Sequence, residues 1–278
     1  MILPFVKMQA AGNDFVAIDG RSLPEQEWSA VARALCDRHR GVGADGLLLL
    51  LLCPEADFRL RMFNPDGTED TCGNGLRCAA RYAAHREWAS RSEMRVLTRS
   101  GIQSAVLEPD GQVTVSLGRA SFHPGDIPAR TDAPEIIDWP LGTPAGELRI
   151  TSLTTGSAHT VIFGATPVGE EQFQAVSPWL ETHPLFPERT SVLWATPLGP
   201  NFFQVRIWER GAGETLACGT GAAAVAAAAC RLGRARSPVG VRSRGGTLTV
   251  AVGNDLHLRL TGPAVEVFRG EIPLPAPG

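Results

Sequence analysis

The sequence predicts an α+β protein made of two homologous halves, and three observations predict it. Short strand-like patterns alternate with a few helical ones along the chain. The length, 278 residues, is more than one small core organises and suits two ordinary domains. The chain also repeats itself. Cys72-Gly73-Asn74-Gly75 opens one helical pattern, and Cys218-Gly219-Thr220-Gly221 opens another 146 positions later. Arg61-Met62-Phe63-Asn64 matches Arg206-Ile207-Trp208-Glu209 at an offset of 145, and Gly12 and Gly156 precede apolar strands at an offset of 144. Gly67 and Gly213 each stand five residues before their cysteine. Such agreement implies two copies of one mixed unit about a pseudo-two-fold axis, with the cysteine turns facing one another across the domain interface, a frequent place for a ligand.

The elements follow in order. Residues 2–8 and 15–19 read as strands. Residues 25–38 carry helical apolar spacing at Trp28, Val31 and Leu35, with Cys36 beside them. Strands at 46–53 and 58–63 come next. The apolar run Leu47–Cys53 is too short to span a bilayer and suits a buried strand. The turn at Cys72 opens a helix running to 89. The stretch 94–118 reads as hairpins, with Pro109-Asp110-Gly111 as a turn. Residues 122–147, rich in Pro and Gly, are the linker candidate. The second half offers strands at 148–153 and 159–163, a Pro-rich loop and short helix over 165–187, strands at 191–195 and 202–208, the helix after Cys218, and strands at 247–252 and 256–260. The expected domains are an N-terminal half, 1–125, a C-terminal half, 126–262, and a segment 263–278 that packs back on the N-terminal half.

Composition narrows the function classes. Hydrophobic residues are 44% and charged residues 20%, an ordinary globular balance that excludes a disordered or fibrous chain. A net charge of -3 argues against nucleic acid as a partner held by overall charge. The start, MILPFVKMQA, reaches a lysine before any apolar stretch of signal-peptide length, so no membrane partner and a cytoplasmic, reducing location are expected. Six cysteines are too few for a disulfide scaffold. Lys7 is the one lysine, which disfavours Schiff-base chemistry and pyridoxal phosphate anchoring; no cofactor and no metal are expected.

Each cysteine turn has a chemical use. The cysteine stands ahead of a helix between glycines that let a ligand approach the backbone. The helix N-terminus carries unpaired N–H groups and partial positive charge, so it receives a carboxylate and favours a thiolate. Two opposed turns can hold one carboxylate with a sulfur on each side of the adjacent carbon. A thiolate on one face removes the α-proton and a thiol on the other returns one, which inverts the stereocentre without a cofactor.

These residues resemble the diaminopimelate epimerase family of the cofactor-independent amino-acid racemases. The resemblance lies in Lys7-Met8 with Gly12-Asn13-Asp14-Phe15, in Asn64-Pro65-Asp66-Gly67-Thr68 with Cys72 to Cys78, in Gly156 to His159, and in Glu209-Arg210-Gly211 with Ala217 to Gly221. It implies two similar α+β domains, each a barrel-like sheet around a central helix, with the active site in the cleft between them and a homodimer as the usual assembly. It further implies that Cys72 and Cys218 are the acid/base thiols, with His159 tuning Cys72 and Glu209 tuning Cys218. Gly73, Asn74, Gly219 and Thr220 would supply amides around the reacting carboxylate. Asn13, Asn64 and Arg210 would hold the substrate's amino and carboxylate groups, Arg210 by a bidentate grip on the distal carboxylate. Ser157 and Ser191 stand where the family has asparagines that hold the non-reacting end, and Asn64 is one residue closer to its cysteine than Glu209 is. The resemblance therefore implies epimerisation of LL-2,6-diaminopimelate to the meso form, the two serines leaving room for another amino acid, such as histidine. A binding module that captures a carboxylate without chemistry is the alternative of a different class.

Competing readings of the same residues are weaker. Cys36, Cys53, Cys78 and Cys230 lie in apolar patterns and read as packing residues. The cysteine spacings lack the close pairs of a structural zinc site. Gly41-Val42-Gly43-Ala44-Asp45-Gly46 matches a dinucleotide fingerprint by letter, but a helix precedes it and a strand follows, the reverse of what that fingerprint needs. Arg231, Arg234 and Arg236 read as a solvated helix end.

Overall fold

The computed structural model describes residues 2–88 and 92–274. It begins with β1 (Ile2–Ala10), β2 (Asn13–Asp19), α1 (Trp28–Cys36), β3 (Gly46–Leu51), β4 (Phe58–Phe63), β5 (Glu69–Asp70), α2 (Gly73–Ala84), β6 (Glu93–Thr98), β7 (Gly101–Leu107) and β8 (Val113–Arg119). There follow β9 (Trp139–Thr143), β10 (Gly146–Thr154), β11 (Ala158–Phe163), α3 (Glu170–Glu181), β12 (Ser191–Gly199), β13 (Phe202–Glu209), β14 (Gly213–Thr215), α4 (Gly219–Arg231), β15 (Val239–Ser243), β16 (Gly246–Val252), β17 (His257–Gly262) and β18 (Val265–Pro273). One compact unit comprises Met1–Ser116 and Thr261–Gly278, the other Leu117–Leu260.

The first unit is a mixed sheet. β1 pairs antiparallel with β2, β2 parallel with β3, and β3 antiparallel with β4. β4 then takes β5 antiparallel and β6 parallel, and β6–β7–β8 continue as hairpins. β3 is a run of leucines because both of its faces are covered. Leu47 and Leu49 join Trp28, Val31 and Leu35 of α1 in one apolar cluster, whereas Leu48 points at Gly75 of α2. The run ends sooner than its letters suggest, since Leu52 is 71% exposed. α2 touches β1, β2, β3, β4, β7 and β18, strands from both ends of the pairing order, so the sheet curls round it. The glycine-rich stretch 41–46 is the helix-to-strand connection its context predicts, between α1 and β3.

The second unit repeats this order strand for strand. β10–β11 are antiparallel, β11–β12 parallel, β12–β13 and β13–β14 antiparallel, β13–β15 parallel, and β15–β16 antiparallel. The repeat reaches single contacts. Arg61 clasps Glu69 across β4 and β5 at 2.8 Å, and Arg206 clasps Glu214 across β13 and β14 at 2.8 Å. Gly12 and Gly156 have positive φ (83° and 98°), as do Gly67 and Gly213 (87° and 79°), a backbone region that glycine enters without a Cβ clash. α4 packs against β10, β11, β12, β15 and β16. Its residues Ala222–Ala229 are buried almost without exposure, small side chains that let the helix sit deep inside its sheet.

Residues 122–147 are not a linker. Ile127 and Ile136 are each 1% exposed and enter the core that α3 forms with β10, β11 and β12, while β9 pairs along β10. Residues from 117 onward belong to the second unit because Ala120 donates to Leu256 O and Ser121 exchanges hydrogen bonds with Thr154. The division therefore falls at 116/117 rather than 125/126. After 260 the chain returns to the first unit, where β18 pairs antiparallel with β1 from Pro273 opposite Ile2 to Val265 opposite Gln9. Helix α2 ends at Ala84 rather than 89, and residues 89–91 lie outside the described residues.

Candidate active site

Both cysteine turns form the N-cap of a helix. Cys72 (φ −144°, ψ 122°) precedes α2 and Cys218 (φ −135°, ψ 115°) precedes α4, each in extended backbone. The amides of Gly73, Asn74, Gly219 and Thr220 fall in the first helical turn, where the helix offers N–H groups no carbonyl partner. They are oriented toward whatever the cap residue faces, which suits a carboxylate.

In the second unit the expected residues converge. The Sγ of Cys218 accepts from Gly221 N at 3.4 Å and lies 3.4 Å from the Thr220 hydroxyl. Glu209, the last residue of β13, lies against the thiol and receives the hydroxyl of Thr215. His159 on β11 pairs in parallel register with Ser191 on β12. It is 1% exposed; Nε2 is 3.1 Å from Ser157 Oγ, and Nδ1 has no hydrogen-bond partner among the described residues. Burial, with the positive charge of Arg210 adding to it, pushes this imidazole down to about 3. Arg210 is anchored by its backbone, N to Ser191 Oγ at 3.1 Å, and by Nη1 to Glu188 O at 3.1 Å. Thr155 Oγ1 donates to Thr220 O at 3.0 Å and so ties the turn before β11 to the start of α4.

The Cys218 thiol departs from expectation. A helix N-terminus should favour thiolate, yet this thiol is pushed up, by burial first and then by the Glu209 carboxylate. The donors at Thr220 and Gly221 act in the other direction and are outweighed. The magnitudes explain why: a helix terminus is worth up to about 2 kcal/mol, or roughly one and a half pKa units, whereas full burial shifts a group by about 3–5 units.

In the first unit a chain of side chains meets at Cys72. Its Sγ donates toward Asn13 Oδ1 at 3.6 Å, and Asn74 Nδ2 donates to the same oxygen at 3.1 Å. Asn13 Nδ2 donates to Asp45 Oδ2 at 2.7 Å, and Asn74 Oδ1 accepts from Arg77 Nη2 at 2.8 Å. Asn64 Nδ2 donates to Thr68 Oγ1 at 3.0 Å within its own turn.

The remaining candidates divide. Lys7 is buried, donates to Gly43 O and pairs with Asp14 at 2.6 Å, a strut rather than an amine open to substrate. Cys36 and Cys78 are core residues, and burial pushes Cys36 up to about 12 and Cys78 up as well. Cys53 and Cys230 are only half-buried; Cys53 donates to Glu55 at 3.1 Å instead of filling a core. Sequence reasoning missed Asp45, Arg77, Thr155, Thr215 and Glu181. The signal for Asp45 was its place in the glycine stretch set aside as a cofactor motif. The signal for Glu181 was a carboxylate on the apolar face of a helix: 6% exposed, it receives Trp208 Nε1 at 2.7 Å and Gly211 N at 2.8 Å and so fixes the segment carrying Glu209 and Arg210.

The family model described as diaminopimelate epimerase matches residues 5–123 and 151–267. The chain is 42% identical to the diaminopimelate epimerase of Desulforudis audaxviator over 97% of its own length and 99% of the relative's. It is 40% identical to that of Moorella thermoacetica, over 97% and 99%. Among solved structures, a PhzF-family phenazine biosynthesis protein of Bacillus anthracis has a TM-score of 0.69 at 17% identity, over 98% of this chain and 99% of that one. A hydroxyproline epimerase of Agrobacterium vitis with bound trans-4-hydroxy-L-proline has a TM-score of 0.67 at 16% identity, over 98% and 91%. At such identities these two likenesses speak for the shared two-domain α+β fold.

Proposed function

The chain belongs to the diaminopimelate epimerase family, an isomerase family, and on that premise we propose that it interconverts LL- and meso-2,6-diaminopimelate by a two-thiol mechanism. The observation that carries the reading is the repetition of a cysteine-capped, glycine-rich helix start in both units. Cys72 and Cys218 address the two faces of one α-carbon; one sulfur takes the α-proton as thiolate while the other, as thiol, delivers a proton to the opposite face. The four first-turn amides hold the α-carboxylate and stabilise the negative charge that grows on it as the carbanion forms. Glu209 acts as proton partner of Cys218, and His159 partners Cys72. Neutral His159 keeps one ring nitrogen as acceptor and one N–H as donor; burial leaves it a weak base, so its part is to hydrogen-bond and orient the sulfur rather than to strip its proton. Asn13, Asn64, Ser157, Ser191 and Arg210 hold the amino and distal carboxylate groups. No step calls for a cofactor or a metal.

Incubation with LL-diaminopimelate in deuterated water is expected to place deuterium at the α-carbon of the product. Cys72→Ala and Cys218→Ala are each expected to abolish epimerisation. Full activity in both variants would reject the two-thiol mechanism, and absence of exchange with every amino acid tried would reject the enzyme reading in favour of carboxylate capture alone.

One observation favours a second substrate reading. The Ser157 and Ser191 hydroxyls, where the family has asparagines, are engaged with His159 and with Arg210 N. A shorter side chain spent on the protein itself reaches a distal amino-acid head less well, so turnover on a panel that includes histidine decides between substrates. The assembly we infer is a homodimer through Val265, Val267 and Phe268 of β18 and Ile2 of β1, apolar residues 44–56% exposed on paired strands. Sedimentation of a Val267→Asp, Phe268→Asp variant tests it: a shift to monomer supports the surface, an unchanged profile rejects it. Among the described residues no helix is long and apolar enough to cross a membrane, and a cytoplasmic location completes the reading.

A further inference from the structure

Helix α2 buries an arginine. Arg77 is 0% exposed; Nη2 donates to Asn74 Oδ1 at 2.8 Å, Nε to Pro263 O at 3.5 Å, and Nη1 has no hydrogen-bond partner among the described residues. Both partners are neutral, and no carboxylate pairs with it among the described residues. A guanidinium keeps its proton in proteins, and a buried charge without a counter-ion is costly. The internal repeat makes the placement informative. The position 146 residues after Arg77 is Ala223, in the all-small face of α4, so the cation is confined to the helix that Cys72 caps. Conversely, Cys218 lies against the carboxylate of Glu209, whose counterpart 145 residues earlier is the neutral Asn64. The two cysteine turns share a backbone and carry opposite fields.

We propose that Arg77 is a positioning residue whose buried charge holds Cys72 as the thiolate of the resting protein, leaving Cys218 as the thiol. The inference rests on the two-thiol reading above and deepens it by saying which sulfur starts as base. Arg77 reaches Cys72 through Asn74 and Asn13, whose amides link its Nη2 to the Cys72 sulfur; burial pushes the guanidinium down, and the thiols of Cys78 and Cys72 act in the other direction. Cys78 is fully buried and stays protonated; Cys72 is half-buried at the head of the helix. Several charges near the turn are paired, whereas Asp70, two residues before Cys72, is an exposed carboxylate whose Oδ1 accepts from Thr71 N. On β1 and β2, Lys7 pairs with Asp14, and before β3 Asp45 shares Arg38 with Asp14. On β4 and β5, Arg61 pairs with Glu69. The Asp70 carboxylate and Asn13 Oδ1, which accepts from the thiol at 3.6 Å, both favour the protonated form, the first damped by solvent. That bond is long, whereas an unpaired charge in a low-dielectric interior acts well beyond contact. Arg77 also fixes the amides. As a donor-only group it turns Asn74 Oδ1 toward itself, Asp45 as acceptor turns Asn13 Nδ2 the other way, and neither amide can flip without losing a charged partner.

The test follows alkylation of Cys72 by iodoacetamide against pH, read on the Cys72 peptide by mass spectrometry, in the full chain without substrate. In the parent, Cys72 should titrate below the ordinary thiol value of about 8.5; a value at or above it overturns the proposal. In Arg77→Met the apparent pKa should rise by about one unit, with alkylation near neutral pH falling roughly tenfold. Arg77→Lys, which keeps a cation, should return toward the parent. A folded Arg77→Met protein with the parent's profile overturns the proposal, as does Arg77→Lys behaving like Arg77→Met. Should the Met variant fail to fold, the parent titration and the Lys variant still decide. Because no substrate is present, a shifted profile with no turnover of diaminopimelate would remove the functional reading and leave this one, and turnover with an unshifted profile would do the reverse.

Discussion

A single buried imidazole couples the site to acid stability. In an unfolded chain histidine takes its proton near pH 6.5, whereas folded His159 takes it only near about 3. Between those values the unfolded chain binds more protons, so stability from this group falls as pH drops through 6.5 toward 3 and is fully present above 6.5. His159→Asn is expected to flatten that limb in urea midpoints measured against pH, and equal slopes in both proteins would refute the assignment. The candidate residues around it were legible by two routes: Cys72 and Cys218 through glycine context and the repeat, His159 and Glu209 through the resemblance to the family. Their electrostatics were not legible. The helix start argued for thiolate at both cysteines, but burial is a property of the whole fold, and it reversed the direction at Cys218.

At the scale of elements, the glycines after each cysteine set how close a helix comes to its thiol. A Cβ on Gly221 would lie 3.1 Å from Leu193 Cδ2, 3.2 Å from Cys218 Cβ and 3.3 Å from its Sγ. Alanine there improves helix propensity but presses on the sulfur. Gly221→Ala should therefore lower kcat by tenfold or more, since a catalytic group displaced by about 1 Å can lose roughly a hundredfold, while stability changes by only about 1 kcal/mol. Thermal melts beside steady-state kinetics check both halves of that statement. Gly67 behaves differently: with φ 87° and a Cβ that would meet Ser29 O at 2.8 Å, Gly67→Ala should destabilise the first unit by about 2 kcal/mol or more, read as a loss in urea midpoint. Long apolar strands and both cysteine-capped helices were readable from pattern. β9, β15 and β18 were not, because their residues are charged, small or proline-flanked and gain their pairing from distant strands.

Over the whole molecule, the repeat predicted two units but not how the chain is shared between them. Composition placed a linker at 122–147, where Pro and Gly serve turns over a packed core. The first unit is discontinuous, with β18 laid along the full length of β1. Ending the chain at Pro263 would uncover β1 and the apolar residues around Phe5, so such a truncation should be insoluble or unfolded by circular dichroism. A soluble, cooperatively melting product would show that β18 is dispensable.

The same strand fixes an order of events during synthesis. Leu117–Leu260 is one uninterrupted stretch and can complete its own pairings as soon as it has emerged. The unit that starts the chain must wait with an open edge at β1 until residues 265–273 leave the ribosome. The half made first thus finishes last, and for that interval its unpaired strand is the part of the molecule most in need of a chaperone.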